Sequence, residues 1–241
     1  MNTNKQVWKR VIVSSALTML FAGNAMAVTN GSFSNGLNGW SALGDVNLQA
    51  GAILMTTASV DFEDDFPEAA GAFNASGNAA AEVGAVGGVE DFIGIPFGAL
   101  DMNDNFAFEG SVLKQTFNVN AGDTLTFNWN FFTNETSTGA DYAFVSINGA
   151  LTTLATPLDA ASSSLPYAYT TGFQTFSQTF NAASSITLAF GVVDVNDYNV
   201  TSALWFDNVA VNVAVVPEPE TYAMFLAGLG LMGFASRRKQ A

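Results

Sequence analysis

From Thr124 to Phe131 the chain alternates without a break. Leu125, Phe127, Trp129 and Phe131 fall on one side, and Thr124, Thr126, Asn128 and Asn130 on the other. A period of two with aromatics along one face is a half-buried β-strand, and an α-helix cannot use it. Other segments follow the same rule: Val46–Gln49, Ala52–Thr57, Val112–Val119, Asp141–Ile147, Ala150–Ala155, Gly172–Phe180, Ser185–Val193 and Ala203–Val213. Turn signals separate them. Asn120-Ala121-Gly122-Asp123 closes one strand, and Asn148-Gly149 predicts a two-residue type I′ hairpin. Many short strands with regular turns predict an all-β fold, an antiparallel β-sandwich of jelly-roll-like form.

Two regions break the pattern. Asn30–Trp40 carries repeated Asn-Gly and Gly signals around Phe33 and Trp40, which predicts an edge strand and loop with two buried aromatics. Asp61–Glu109 starts acidic, then turns Gly- and Ala-rich. Val89–Ile93 and Pro96–Met102 each predict a short helical turn within it, so this is a partly helical insertion on the β scaffold.

Composition narrows the chemistry. All but two of the 21 Asp and Glu lie between Val28 and Val216, whereas Lys114 is the sole cation of that span. Such a surface repels phosphate backbones, so nucleic acid is excluded as a partner. A solvated surface, divalent cations or a basic partner would each explain the acids, and the first accounts for most of them. The chain has no Cys and no His. Stability therefore comes from packing, with 21 Phe filling much of the core. Histidine-dependent catalysis and His-ligated zinc are both ruled out, which leaves a carboxylate pair as the remaining enzymatic device.

Both ends differ from the middle. Lys5, Lys9 and Arg10 precede the apolar run Val11–Ala22, and Ala25-Met26-Ala27 follows. This is a secretory signal helix cut between Ala27 and Val28. At the other end stand Pro217-Glu218-Pro219, the apolar run Tyr222–Ala235 and the basic cluster Arg237-Arg238-Lys239. The two prolines stop the last strand. Fourteen apolar residues rise roughly 21 Å as a helix. That is short of a hydrocarbon core of ~30 Å, and Gly228, Gly230 and Gly233 weaken the helix further. The basic end favours a short transmembrane helix with a cytoplasmic terminus, held only temporarily. Three parts result: a signal peptide at 1–27, a sandwich domain at 28–216 and a tail at 217–241.

Val216-Pro217-Glu218-Pro219-Glu220, the apolar run and the basic end resemble the PEP-CTERM sorting signal of proteins processed by exosortase. The resemblance implies signal peptidase and exosortase as processing enzymes, transient insertion in the inner membrane, and delivery to the cell surface or extracellular matrix of a Gram-negative bacterium. An exopolysaccharide, biofilm setting is implied with it. Gly110–Phe117, Ala121–Leu125, Phe131–Glu135 and Asp141–Val145 resemble sandwich domains found ahead of such tails. Asn30-Gly31-Ser32-Phe33 and Phe206-Asp207-Asn208-Val209 are similar to the ends of galactose-binding-like, carbohydrate-binding-module jelly rolls. In those modules an acidic residue after the first Phe and an Asp of the last strand bind structural Ca2+. Asp207 matches the second; Ser34 departs from the first.

The residues name several candidate sites. Asp207 is in phase with Trp205, Val209 and Val211, so an inward carboxylate there needs hydrogen bonds or calcium. A bulge turning it outward is the alternative. Asp101-Met102-Asn103-Asp104-Asn105 spaces oxygen ligands as a calcium loop does, without the Gly and Glu of an EF-hand. Asp194-Val195-Asn196-Asp197 is a weaker version, and Asp61-Phe62-Glu63-Asp64-Asp65 reads as a solvated run. Glu135 and Asp141 flank one loop, as a glycosidase pair would need to do across a cleft. Tyr167 and Tyr169, in a polar loop, are the expected exposed pair for stacking on sugars. The expected function is a non-enzymatic structural or adhesive surface protein. A calcium-stabilised glycan-binding module is the alternative, and a carboxylate-based glycan-active enzyme comes third.

Overall fold

The computed structural model describes residues 28–214 and 219–238, apart from 63, 64, 66, 103, 104, 137, 138, 164 and 165. Ala25, Ala27, Asn103, Pro217, Glu218 and Lys239 lie outside the described residues. The elements run β1 (Ser41–Leu43), β2 (Asp45–Gln49), β3 (Ala52–Thr56), β4 (Ala81–Glu82), α1 (Val89–Ile93), β5 (Ala107–Val119), β6 (Thr124–Thr133), β7 (Tyr142–Ile147) and β8 (Ala150–Ala155). After these come β9 (Ala161–Ser162), β10 (Tyr169–Thr170), β11 (Gln174–Thr179), β12 (Ser184–Val195), β13 (Ser202–Asn212) and α2 (Pro219–Arg238).

The strands form two antiparallel sheets. The first runs β1–β5–β12–β7–β8, with β4 also on β5. The second runs β2–β3–β13–β6; beyond β6, β10 and β9 follow along one half and β11 along the other. Their inner faces close the core. Phe190 of β12 stacks on Phe206 of β13 at 4.1 Å and meets Phe127 of β6 edge-on at 4.8 Å. Phe33 and Trp40 complete the cluster, Phe33 edge-on to Phe206 and Trp40 tilted on Phe190. Each such pair contributes about 0.5–1.5 kcal/mol beyond burial, which matters in a chain without disulfides. The alternation of β6 is as expected: Leu125, Phe127, Trp129 and Phe131 are buried within this core.

Local details follow from turn chemistry. Asn148 and Gly149 both have positive φ, 52° and 81°, as a type I′ turn requires. Asn30–Trp40 keeps its two buried aromatics, but as successive turns rather than an edge strand. Val89–Ile93 forms α1 as expected, ending on Gly94 in the left-handed conformation. Pro96–Leu100 forms turns instead of helix. Here Glu90 accepts from the Gly98 and Leu100 N–H groups and ties the segment to α1.

That use of a carboxylate recurs in a minority of the acids, which serve inside the fold rather than on its surface. Asp45, Glu90, Asp123 and Asp141 are all 0 % exposed. Asp45 accepts from Thr56 Oγ1 and from the Ala75 and Ser76 N–H groups, fixing the long loop after β3. Asp123 accepts from Asn120 and Ala214 N–H. Buried carboxylates persist only when hydrogen-bonded in this way. The lone domain cation, Lys114, donates to the Phe92 carbonyl and sits 4.2 Å from the Phe92 ring centroid, pinning α1 to the first sheet.

The tail is helical over 20 residues, longer than the apolar run, despite its three glycines. Tyr222, Phe225, Leu229 and Met232 on it are exposed. Among the described residues no helix is long and apolar enough to cross a membrane. Arg237 and Arg238 lie in the last turn of α2.

Candidate functional site

The outer face of the second sheet is built by the even-numbered residues of β6, the other half of the alternation whose odd-numbered residues fill the core. Cross-strand register sets one row across it: Asn47 of β2 beside Leu54 of β3, Leu54 beside Trp205 of β13, and Trp205 beside Asn130 of β6. Phe173, 68 % exposed, extends the row with its ring edge-on to Trp205 at 4.9 Å. A second row places Thr175 of β11 beside Asn128 and Asn128 beside Asp207. The amide oxygens are held: Asn128 Oδ1 accepts from Thr175 Oγ1 at 3.0 Å, and Asn130 Oδ1 from Thr170 Oγ1 at 2.7 Å. Asn128, half-buried, keeps its NH2 edge for another acceptor, whereas Asn130 is only 2 % exposed beneath Thr170 and Thr171. The long loop borders this face, since Asn47 donates to the Ala75 carbonyl and Phe73 packs on Tyr167, which packs on Phe132.

Asp207 belongs to this outer face. A register shift between Asp207 and Ala210, with Asn208 at φ 57°, makes a β-bulge. Phe206 and Val209 both point inward as a result, and Asp207 sides with Trp205. The expected phase with Val209 and Val211 is thus corrected, and the bulge is the reason. Its Oδ1 is buried and accepts no hydrogen bond among the described residues. The donor chemistry fits a calcium ion at this one atom, because calcium takes oxygen ligands. Ser34 supplies no second carboxylate and is exposed, its hydroxyl near that of Ser32.

The remaining candidates fall elsewhere. Asp101 Oδ1 accepts from Ala107 N–H, and Asn105 Oδ1 from Asn196 Nδ2, so both oxygens already serve the loop. Among the described residues no group of three or more His, Cys, Asp or Glu is placed to hold a metal ion. Tyr167 is only 7 % exposed. Burial raises its phenol well above the usual value, with Asp65 and Asp45 adding to it. It offers no free ring, which corrects the expected exposed pair; Tyr169 is half-buried in β10. Asp141 is a clasp between the sheets. Its Oδ1 accepts from Val195 N–H and its Oδ2 from Ser202 Oγ, which also meets Thr133 Oγ1. Desolvation holds its carboxyl well above the usual range, and Glu135, half-buried, is raised by desolvation and by Asp197. Asp197 Oδ1 itself accepts from Asn199 N–H. Val28 packs on the core, and Thr29 is held at both N–H and C=O by the Gln115 amide.

Asn128, Asn130 and Phe173 were not singled out from the sequence as a site. The signal was present: amides are disfavoured in strands, yet two alternate on the outer face of β6.

Comparison with known proteins adds one firm feature. Residues 215–239 match the PEP-CTERM protein-sorting motif, so the chain carries an exosortase-directed export signal behind a β-sandwich. No curated protein matches the chain. Among solved structures, the chain is similar to a CBM4 structure at 16% identity and a TM-score of 0.34, over 76% of this chain and 99% of that one. It is also similar to the N-terminal cellulose-binding domain of β-1,4-glucanase C from Cellulomonas fimi, at 16% identity and a TM-score of 0.35, over 78% of this chain and 97% of that one.

Proposed function

We propose that this is an exported surface protein whose sandwich is a non-catalytic adhesive module, holding a neutral glycan on the outer face of its second sheet. The observation that supports the reading is the aromatic pair Phe173–Trp205 with the half-buried amide of Asn128 beside it. Sugar rings present apolar C–H faces and hydroxyl edges. Aromatic rings serve the first and fixed amides the second. The face carries Asp207 and no cation, and the chain has net charge −14, so uronate-bearing polymers are repelled. The sorting tail then delivers the module to the outside of the cell, where an extracellular polymer is the available ligand.

Affinity electrophoresis through neutral and uronate polysaccharides tests this. The expected result is retardation by at least one neutral polymer, weakened tenfold or more by Trp205→Ala. Retardation unchanged in Trp205→Ala would overturn the assignment. A calcium-stabilised form of the same module is the second reading, favoured by the buried Asp207 Oδ1; Asp207 would hold the ion at the bulge beside the glycan face.

A further inference from the structure

Four Asn-Gly pairs occur in the chain, at 30–31, 35–36, 38–39 and 148–149. Such a pair can modify itself, because glycine has no side chain to shield its backbone nitrogen. The Gly nitrogen bonds to the Asn Cγ, the Cγ–Nδ2 bond breaks, and the Gly N–H hydrogen leaves with Nδ2 as ammonia. Water then opens the cyclic imide. Opening at Cγ gives aspartate, and opening at the main-chain carbonyl gives isoaspartate. The first step needs Cγ swung onto the nitrogen, so anything that holds the amide or crowds the glycine slows it.

The fold treats the four pairs differently. Asn148 Oδ1 accepts from Thr187 N–H at 2.8 Å, and its Nδ2 donates to the Ser185 carbonyl. Asn30 is held more fully. Its Nδ2 donates to the Gly36 and Asn38 carbonyls, its Oδ1 accepts from Asn35 N–H, and Gly31 is buried against the Val209 carbonyl. The Asn38 side chain is exposed, but its glycine is hemmed in. A Cβ on Gly39 would lie 2.9 Å from Thr29 Cγ2 and 3.3 Å from Gln115 Nε2, and the Gly39 carbonyl accepts from that same Nε2. Of the four, only Asn35 joins a free amide to an uncrowded glycine. Its side chain is exposed and makes no hydrogen bond among the described residues. Nothing lies within 4 Å of where a Cβ on Gly36 would stand.

We propose that Asn35 is a self-modification site of the folded protein, converting to aspartate and isoaspartate, and that the isoaspartate slackens the loop that seats Phe33 and Trp40. Asn30 brackets the bond that changes: it accepts from Asn35 N–H at 3.1 Å and donates to the Gly36 carbonyl at 2.8 Å. Isoaspartate inserts a methylene into the backbone between those two groups, so the bracket no longer fits. The Asn30 carbonyl accepts from Phe33 N–H and from Trp40 Nε1. The next carbonyl, of Gly31, accepts from Val209 N–H at the β13 bulge. Loosening Asn30 therefore reaches both core aromatics and the bulge. The proposal does not depend on glycan binding.

The full chain, its tail held in a mild detergent, is kept in mildly alkaline buffer made with heavy-oxygen water, both folded and in urea, and its peptides are mapped by mass. Solvent oxygen marks every imide that has opened. In the folded chain Asn35 is expected to convert about tenfold or more faster than Asn30 and Asn148, and faster than Asn38, because it alone reaches the attack geometry freely. In urea the four rates converge. Melting then compares wild type with Asn35→Ser, which removes the reactive amide and breaks no hydrogen bond of that side chain. Wild type is expected to lose melting temperature as it ages, and Asn35→Ser to keep it. No conversion at Asn35, equal rates at the four pairs in the folded chain, a lead for any of the other three, or an equal loss of melting temperature in both chains each overturns the proposal.

Discussion

Asp45 illustrates how single residues hold this fold. Its carboxylate takes one hydroxyl and two backbone N–H donors inside the protein, so Asp45→Ala strands all three. The expected cost is on the order of 3 kcal/mol, read as a lower urea midpoint with an unchanged slope; a change below half a kcal/mol would contradict the anchoring role. Asp141 behaves oppositely. Its folded-state carboxyl is raised above the unfolded value by desolvation, so between those two values the native state binds more protons. Stability from this group is therefore lost as pH climbs through that window. Asp141→Asn, which retains an acceptor for Val195 N–H, is expected to melt above wild type at neutral pH, the gap closing as pH falls into the carboxylate range. A gap independent of pH would contradict the assignment. Neither role was legible in the sequence. An Asp reads as surface by default, and its donors lie far away along the chain: Ala75 for Asp45, Val195 for Asp141. Tyr167 was misread for the same reason, since its neighbours Phe73 and Phe132 are distant in sequence.

At the scale of elements the sequence is a better guide. Alternation and turn residues gave β6, the β7–β8 hairpin and α1, because those signals are local and each residue type has a fixed steric preference. The bulge of β13, which the sequence offers only as an alternative, is where that guide is weakest. Strict period two assigns Asp207 inward, but one inserted residue reverses the phase, and no residue between Trp205 and Val209 announces it before Asn208 adopts positive φ. The strand thereby leaves Asp207 Oδ1 buried without a donor among the described residues, a cost of about 1–3 kcal/mol. If calcium answers that cost, the ion raises the melting temperature of the chain, since a ligand bound only by the native state must do so. Asp207→Asn then removes the rise. Equal melting in millimolar calcium and in chelator would sink the calcium reading while leaving the glycan face intact.

For the whole molecule, one strand pattern serves two purposes. The inward residues of the second sheet pack against Phe190 and its neighbours, and the outward ones form a face with Phe173 exposed and Trp205 and Asn128 half-buried upon it. Export and sorting were legible because the tail is a contiguous motif. The proposed glycan face was not, because its residues come from β3, β6, β13 and the segment before β11, and only the sheet brings them together. Titration of the 15N-labelled chain with the polysaccharide that retards it in gels tests the central claim most directly. The largest shifts are expected at the side-chain NH2 group of Asn128 and at the Trp205 indole N–H. Shifts confined to the first sheet, or none at either group, would contradict it.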